Sequence, residues 1–225
     1  MFSRPARARV LPFATYIAFI VLADLLGRAG WSAHELRWLY PVKIAVVAGM
    51  LAWYWRQYGE LRGELRLGRL GPLALAAALA AGVLVFVLWI SLNAPWMRLG
   101  TPGAGYVPLN DGQIDWLLAG LRVAGAALVV PPMEELFWRS YLMRWLESPD
   151  FEKVDPAGVK WVGFVITVIL FAIEHELWLA GIVAGAAYSL LYMRLRNLWA
   201  PILAHAVTNG MLGLWIIFTA NWTYW

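Results

Sequence analysis

Polar positions are scarce along this chain and occur in clumps, with long apolar runs between them. Leu70 to Met97 contains no charge. Val10 to Gly27 is interrupted only by Asp24, Trp38 to Trp55 only by Lys43, and Trp116 to Met133 only by Arg122. Trp161 to Ile173 is apolar and runs into Glu174, His175 and Glu176. Leu177 to Met193 is broken by no acidic or basic residue, nor is Asn197 to Trp225, which is long enough for one helix and part of another, with Pro201 and Gly210 as dividing points. A membrane helix needs about 20 mostly apolar residues. The runs are continuous rather than alternating, which disfavours transmembrane strands. The pattern predicts an all-α, polytopic integral membrane protein with seven or eight transmembrane helices, forming a single transmembrane domain over residues 1–225.

Composition sharpens this picture. Of 225 residues, 62% are hydrophobic and 14% charged, with a mean hydropathy of +0.64. Soluble domains are nearer 45–50% apolar and about 25% charged, so a solvated globular domain and disorder are both set aside. The absence of cysteine excludes disulfides, thiol nucleophiles and thiolate metal sites. The net charge of +4 reads as loop topology rather than nucleic-acid binding. Arg4, Arg7 and Arg9 precede the first span. Arg56, Arg62, Arg66 and Arg69 follow the second, and Arg194 and Arg196 form a late turn. An even number of crossings puts all three groups, and the N-terminus, on the cytoplasmic side. Asn93 to Ile114, with only Arg98, is then an outer loop. The basic N-terminus followed by an apolar run looks like a signal peptide, but no A-x-A site follows, so it is read as a retained first helix. The partners this implies are membrane lipid and no nucleic acid.

Ionisable groups at bilayer depth cost at least ~2.5–3.5 kcal/mol each and are functional candidates by default. Three clusters qualify. In Pro131-Pro132-Met133-Glu134-Glu135 the prolines are expected to stop or kink the helix and start a new one, placing both glutamates in its first turn. Glu135 and Arg139 are four apart and share a face, so they can pair. Glu134 is rotated away and left to face a cavity. The structural alternative is an interfacial helix start. The second cluster, Glu174-His175-Glu176, ends an apolar run; His175 alone would read as a satisfied helix-end residue, and the two glutamates receive no role. In the third, His205 and Asn209 project from one helical face, with interhelical hydrogen bonding as the plain reading. His34, the third histidine, falls in a short outer loop.

A carboxylate, two histidines and an amide around one membrane cavity can hydrolyse an amide bond. A glutamate in apolar surroundings is a stronger base and can take a proton from water. A histidine can position that water or carry the proton onward. A His–Asn pair can donate to the developing oxyanion. No Gly-x-Ser-Gly in a span, no Gly-x-Gly-Asp and no His-Glu-x-x-His occurs. Zinc through Glu134, His175 and His205 plus water is an alternative. A non-catalytic scaffold or immunity-type binding protein is another.

Glu134-Glu135-x-x-x-Arg139, Phe171-x-x-x-His175 and His205-x-x-x-Asn209, in that order, resemble the CPBP (Abi) family of intramembrane proteases, which includes the type II CAAX prenyl endopeptidases. The resemblance covers Leu128 to Leu214, residues 128–214 being the catalytic core it implies. It implies a roughly eight-helix fold with a cavity open toward the cytoplasm, and metal-free, glutamate-dependent hydrolysis with no cofactor. By position, Glu134 matches the water-activating base, His175 its partner, His205 and Asn209 the oxyanion hole, and Glu135 and Arg139 supporting residues. The flanking Glu174 and Glu176 depart from the family pattern. The Glu-His-Glu-Leu-Trp segment is closer to a prokaryotic branch associated with exosortase-type sorting systems. That implies the inner (plasma) membrane as location and a protein or peptide substrate, with a lipidated or sorting-signal C-terminus as the candidate.

Overall fold

A computed structural model describes residues 3–63, 66–100 and 105–225. Glu64 and Leu65 of the basic loop, and 101–104 of the outer loop, lie outside the described residues. Seven apolar helices are present among those described: α1 (Arg4–Arg28), α2 (Ala33–Trp53), α3 (Pro72–Ser91), α4 (Trp116–Trp145), α5 (Trp161–Ile173), α6 (Trp178–Leu195) and α7 (Trp199–Thr219). Six are long and apolar enough to cross a membrane, and the chain is a polytopic membrane protein. A two-residue hairpin between α3 and α4 pairs β1 (Leu109–Asn110) with β2 (Gln113–Ile114). Its turn residues Asp111 and Gly112 both have positive φ, the geometry that favours Asp-Gly.

Two expected helix breaks do not occur. The C-terminal run forms one helix, because Pro201 falls in the first turn of α7, where a missing N–H costs nothing. Gly210 lies inside the same helix without interrupting it. Pro131-Pro132 does not stop α4 either. The chain runs helically from Trp116 to Trp145 by widening into π-helical turns at Gly125–Val129 and Leu136–Leu142. A wide turn ahead of the prolines makes room for their rings and reassigns the carbonyls they cannot serve. Glu134 and Glu135 therefore lie deep in a long helix and not in a first turn.

Charged side chains pin one end of the bundle. Arg9, buried, donates to both carboxylate oxygens of Glu60 at 2.8 and 2.6 Å and to Ser140 Oγ at 3.1 Å. Ser140 Oγ also donates to Glu60, and Arg144 donates to Ser140 Oγ at 3.0 Å. Tyr58 Oη donates to Ala8 O, and Trp199 Nε1 to Leu61 O. Burial works against ionisation of Glu60, but Arg9 and the hydrogen bonds from Arg9 and Ser140 prevail and hold its carboxyl below the ordinary value of 4.5. The segments tied together here are the N-terminus, the basic loop after α2, the end of α4 and the start of α7. Arg196 joins Asp155 at the same end.

The opposite end is built differently. α5 has 13 residues, about 19 Å at 1.5 Å per residue, short of a full membrane span. The turn that follows it meets the loop after α3, which descends to it. Leu99 N donates to Glu176 O at 2.7 Å, Arg98 pairs with Glu176 at 3.0 Å, and Trp178 Nε1 donates to Trp96 O at 3.2 Å. Close helix approach builds the centre. A Cβ at Gly181 of α6 would lie 2.9 Å from Ala172 Cα of α5, and one at Gly82 of α3 would lie 2.5 Å from Ala204 O of α7. Such small residues let membrane helices pack backbone to backbone.

Candidate active site

The close packing of α3, α5 and α6 around α7 sets the three polar clusters around one cavity of about 180 Å³. Glu134, His175, His205 and Asn209 all line it. Glu135 and Arg139 lie behind the wall. Their side chains are fully buried and joined at 3.0 Å, so the expected four-residue pairing holds even though it crosses into a π-helical turn. Arg139 also reaches Ser189 Oγ and Gly185 O of α6, each at 3.4 Å. Its guanidinium lies 4.3 Å over the Phe171 ring, a geometry that adds a cation–π attraction.

Each site side chain is held by a specific partner. Glu134 is 6% exposed, and its Oε2 has no hydrogen-bond partner among the described residues. That carboxylate oxygen is the acceptor left over to serve the cavity. His175 Nδ1 lies 2.7 Å from Phe171 O. Because a carbonyl only accepts, Nδ1 carries the proton and Nε2 is the bare nitrogen in the neutral ring. Trp89 packs edge-on to this imidazole at 5.3 Å. His205 Nδ1 donates to Glu135 Oε1 at 3.0 Å, and its ring stacks on Tyr188 at 4.9 Å and 20°. Tyr188 Oη in turn donates to Thr208 Oγ1 at 2.8 Å. These contacts fix the imidazole's plane and leave Nε2 to act.

Asn209 Nδ2 donates to Ala126 O at 2.9 Å, for a reason that lies in the prolines. In the widened turn Val130 N bonds Gly125 O, and Pro131, the next residue, has no N–H to give. Ala126 O is thereby orphaned, and Asn209 satisfies it. The amide nitrogen has two hydrogens, so a second donor remains.

Two of the plain readings hold as contacts: His175 caps its own helix and Asn209 makes an interhelical bond. The interfacial helix start does not, since Glu134 and Glu135 lie buried well inside the long α4. Glu134, His175, His205 and Asn209 nonetheless meet at one void. Among the described residues no three His, Asp or Glu side chains are placed to hold one metal ion, so the Glu134–His175–His205 zinc set is not assembled here.

Sequence reading missed several residues that shape the site. Tyr188 and Thr208 orient His205, but neither stands out in an apolar run. Arg122 lines the cavity and lies 4.2 Å over the Tyr40 ring; its Nε has no hydrogen-bond partner among the described residues. As the lone charge in its span it carried the signal that could have found it. Glu174 and Glu176 open onto an adjoining cavity that shares Trp89, His175, Tyr224 and Trp225 with the first.

Residues 116–211 match the family model described as type II CAAX prenyl endopeptidase Rce1-like. No curated protein and no solved structure matches the chain. The matched segment runs from the start of α4 into α7 and contains all of Glu134, Glu135, Arg139, His175, His205 and Asn209. Residues 116–211 are therefore a domain of the Rce1-like type II CAAX prenyl endopeptidases within the CPBP family, a family of hydrolases that are intramembrane proteases acting on protein or peptide substrates.

Proposed function

We propose that the chain is a glutamate-dependent intramembrane endopeptidase that cleaves a peptide bond at this cavity. The observation that carries the reading is the convergence of Glu134, His175, His205 and Asn209 on one void within the bilayer span. Glu134 takes a proton from a water oriented by His175 Nε2, and the hydroxide adds to the scissile carbonyl carbon. The negative charge moves to the carbonyl oxygen, which accepts from the second Nδ2 hydrogen of Asn209 and from His205 Nε2. Donation by His205 requires the doubly protonated ring, with Glu135 as its counter-charge. Collapse of the adduct expels the amine, and the proton on Glu134 passes to it. Glu135 and Arg139 are positioning residues: they act through His205 and through the rigidity of α4.

The experiment is mass spectrometry of cleavage products from cells carrying wild-type protein or Glu134→Gln. The expected result is loss of products with an unchanged detergent melting curve. Retained cleavage in Glu134→Gln removes the base assignment. A lowered melting temperature with normal turnover in the His175→Ala and His205→Ala variants makes both histidines structural, and identical products from wild-type and Glu134→Gln cells favour a binding scaffold. We propose further that the Arg-rich end, with the N-terminus, faces the cytoplasm. Twelve of the 18 Lys and Arg lie in loops and helix ends there, and only Arg28, Arg37 and Arg98 lie at the other end.

A further inference from the structure

We propose that the catalytic cavity opens on the non-cytoplasmic face of the membrane and takes peptide segments that have already been translocated. This rests on the peptidase reading for the nature of the substrate, and on the charge asymmetry for direction. It departs from the cytoplasm-open cavity that the family resemblance implies. A cytoplasmic N-terminus and a cytoplasm-open cavity cannot both hold for this bundle.

The lining residues fix where the cavity leads. On α4 they are Arg122, Ala126, Val130 and Glu134, a ladder at four-residue steps climbing from the glutamate toward Trp116. On α7 they run from His205 to Gly213, again toward the end remote from the Arg-rich loops, and the C-terminal Tyr224 and Trp225 complete the rim. From Glu134 down to Trp145 there remain about 16 Å of helix with no lining residue. That stretch is plugged. Glu135, Arg139 and Ser140 are fully buried in it, and the Arg9–Glu60–Ser140–Arg144 network closes the end below. The second cavity, lined by Arg98, Glu174 and Glu176, shares Trp89, His175, Tyr224 and Trp225 with the first and continues it in the same direction.

The positive-inside rule makes the plugged end cytoplasmic, with twelve Lys and Arg against three. A substrate then reaches Glu134 only from the other side. The reaction that must supply it is translocation of a protein segment across the membrane, and cleavage follows that step.

The absence of cysteine from the chain makes the test direct. Thr223→Cys places a thiol on an exposed residue of the rim, and Leu212→Cys one within the cavity. Arg62→Cys places one on the exposed basic loop. A membrane-impermeant maleimide is applied to intact spheroplasts, to lysed membranes and to denatured protein, the last setting full labelling. The expected result is that Thr223→Cys and Leu212→Cys label in intact spheroplasts severalfold more than Arg62→Cys, which labels only after lysis. The reverse order overturns the proposal. So does labelling of the rim in neither native preparation, because the mouth would then be shut. Labelling reads only which side the mouth faces, and loss of cleavage products in Glu134→Gln reads only the catalysis, so the two failures are distinguishable.

Discussion

Replacing Arg139 with alanine should unfold this protein more easily than any single change to a cavity-lining polar residue. Four contacts are lost at once. The bonds to Ser189 Oγ and Gly185 O are 3.4 Å long, at the edge of hydrogen-bond range, and contribute little. The stack over Phe171 at 4.3 Å is worth about 2 kcal/mol when desolvated. Freeing a long side chain returns a similar amount of rotamer entropy, so those two effects nearly cancel. The ion pair to Glu135 decides the outcome, since both side chains are fully buried at 3.0 Å. Removing one partner of such a pair strands the other charge and costs about 3–5 kcal/mol. For a chain of this length each kcal/mol moves the melting temperature by about 2–4 °C, giving a drop of about 6–20 °C. The assay is thermal unfolding in detergent of Arg139→Ala, Glu135→Gln and the double variant. Because the two residues touch, the double variant should lose clearly less than the two single losses together. A shift below about 2 °C, or single losses that add within about 0.5 kcal/mol, refutes the argument that the buried pair within α4 dominates the loss.

Three further outcomes follow from the same geometry. Gly82→Ala places a Cβ 2.5 Å from Ala204 O, so it should destabilise by about 1–3 kcal/mol and lower cleavage by displacing His205 and Asn209; Gly49→Ala, with open space around it, should be neutral, and equal melting of the two would refute the close contact of α3 and α7. Asn209→Ala should strand Ala126 O at a cost of about 1–3 kcal/mol and also lower kcat by about 10²–10³-fold, whereas a stability loss with unchanged kcat would restrict Asn209 to serving the backbone. Glu60, held below its ordinary 4.5, contributes stability that is complete above the unfolded carboxyl's range and is lost as pH falls through its lower folded value. Melting in detergent should therefore weaken as pH drops below 4.5, and Glu60→Gln should be less stable at neutral pH and should flatten that acid slope.

The features legible in the sequence are those set by short-range spacing. Charges separated by continuous apolar runs gave the spans, and four-residue spacing gave the Glu135–Arg139 pair and the shared face of His205 and Asn209. The expectation at Pro131-Pro132 failed because the compensation is distant. The carbonyl that the prolines orphan belongs to Ala126, and the group that satisfies it belongs to Asn209, 83 residues away. The network that seals the Arg-rich end was invisible for the same reason, since Arg9 meets Glu60 and Ser140 across 51 and 131 residues. Local rules place a proline or an arginine correctly against its own helix and are silent about what arrives from another.

That distant compensation links the architecture to the chemistry. A widened turn in α4 is tolerated at membrane depth only if something satisfies the released carbonyl, and the residue that does so also lines the cavity. The same turn places Ala126 one step above Val130 and two above Glu134 on the cavity face. Prolines that would end an ordinary helix here keep α4 continuous, draw Asn209 of α7 to it, and hold a glutamate and an amide around one void. A variant replacing Pro131 with leucine supplies an N–H that removes the need for the π turn. It should tighten α4, release Asn209 from Ala126 O and, by rotating Glu134 off the cavity wall, lower turnover while leaving the melting temperature unchanged or raised. Full activity in Pro131→Leu would show that the widened turn serves packing alone.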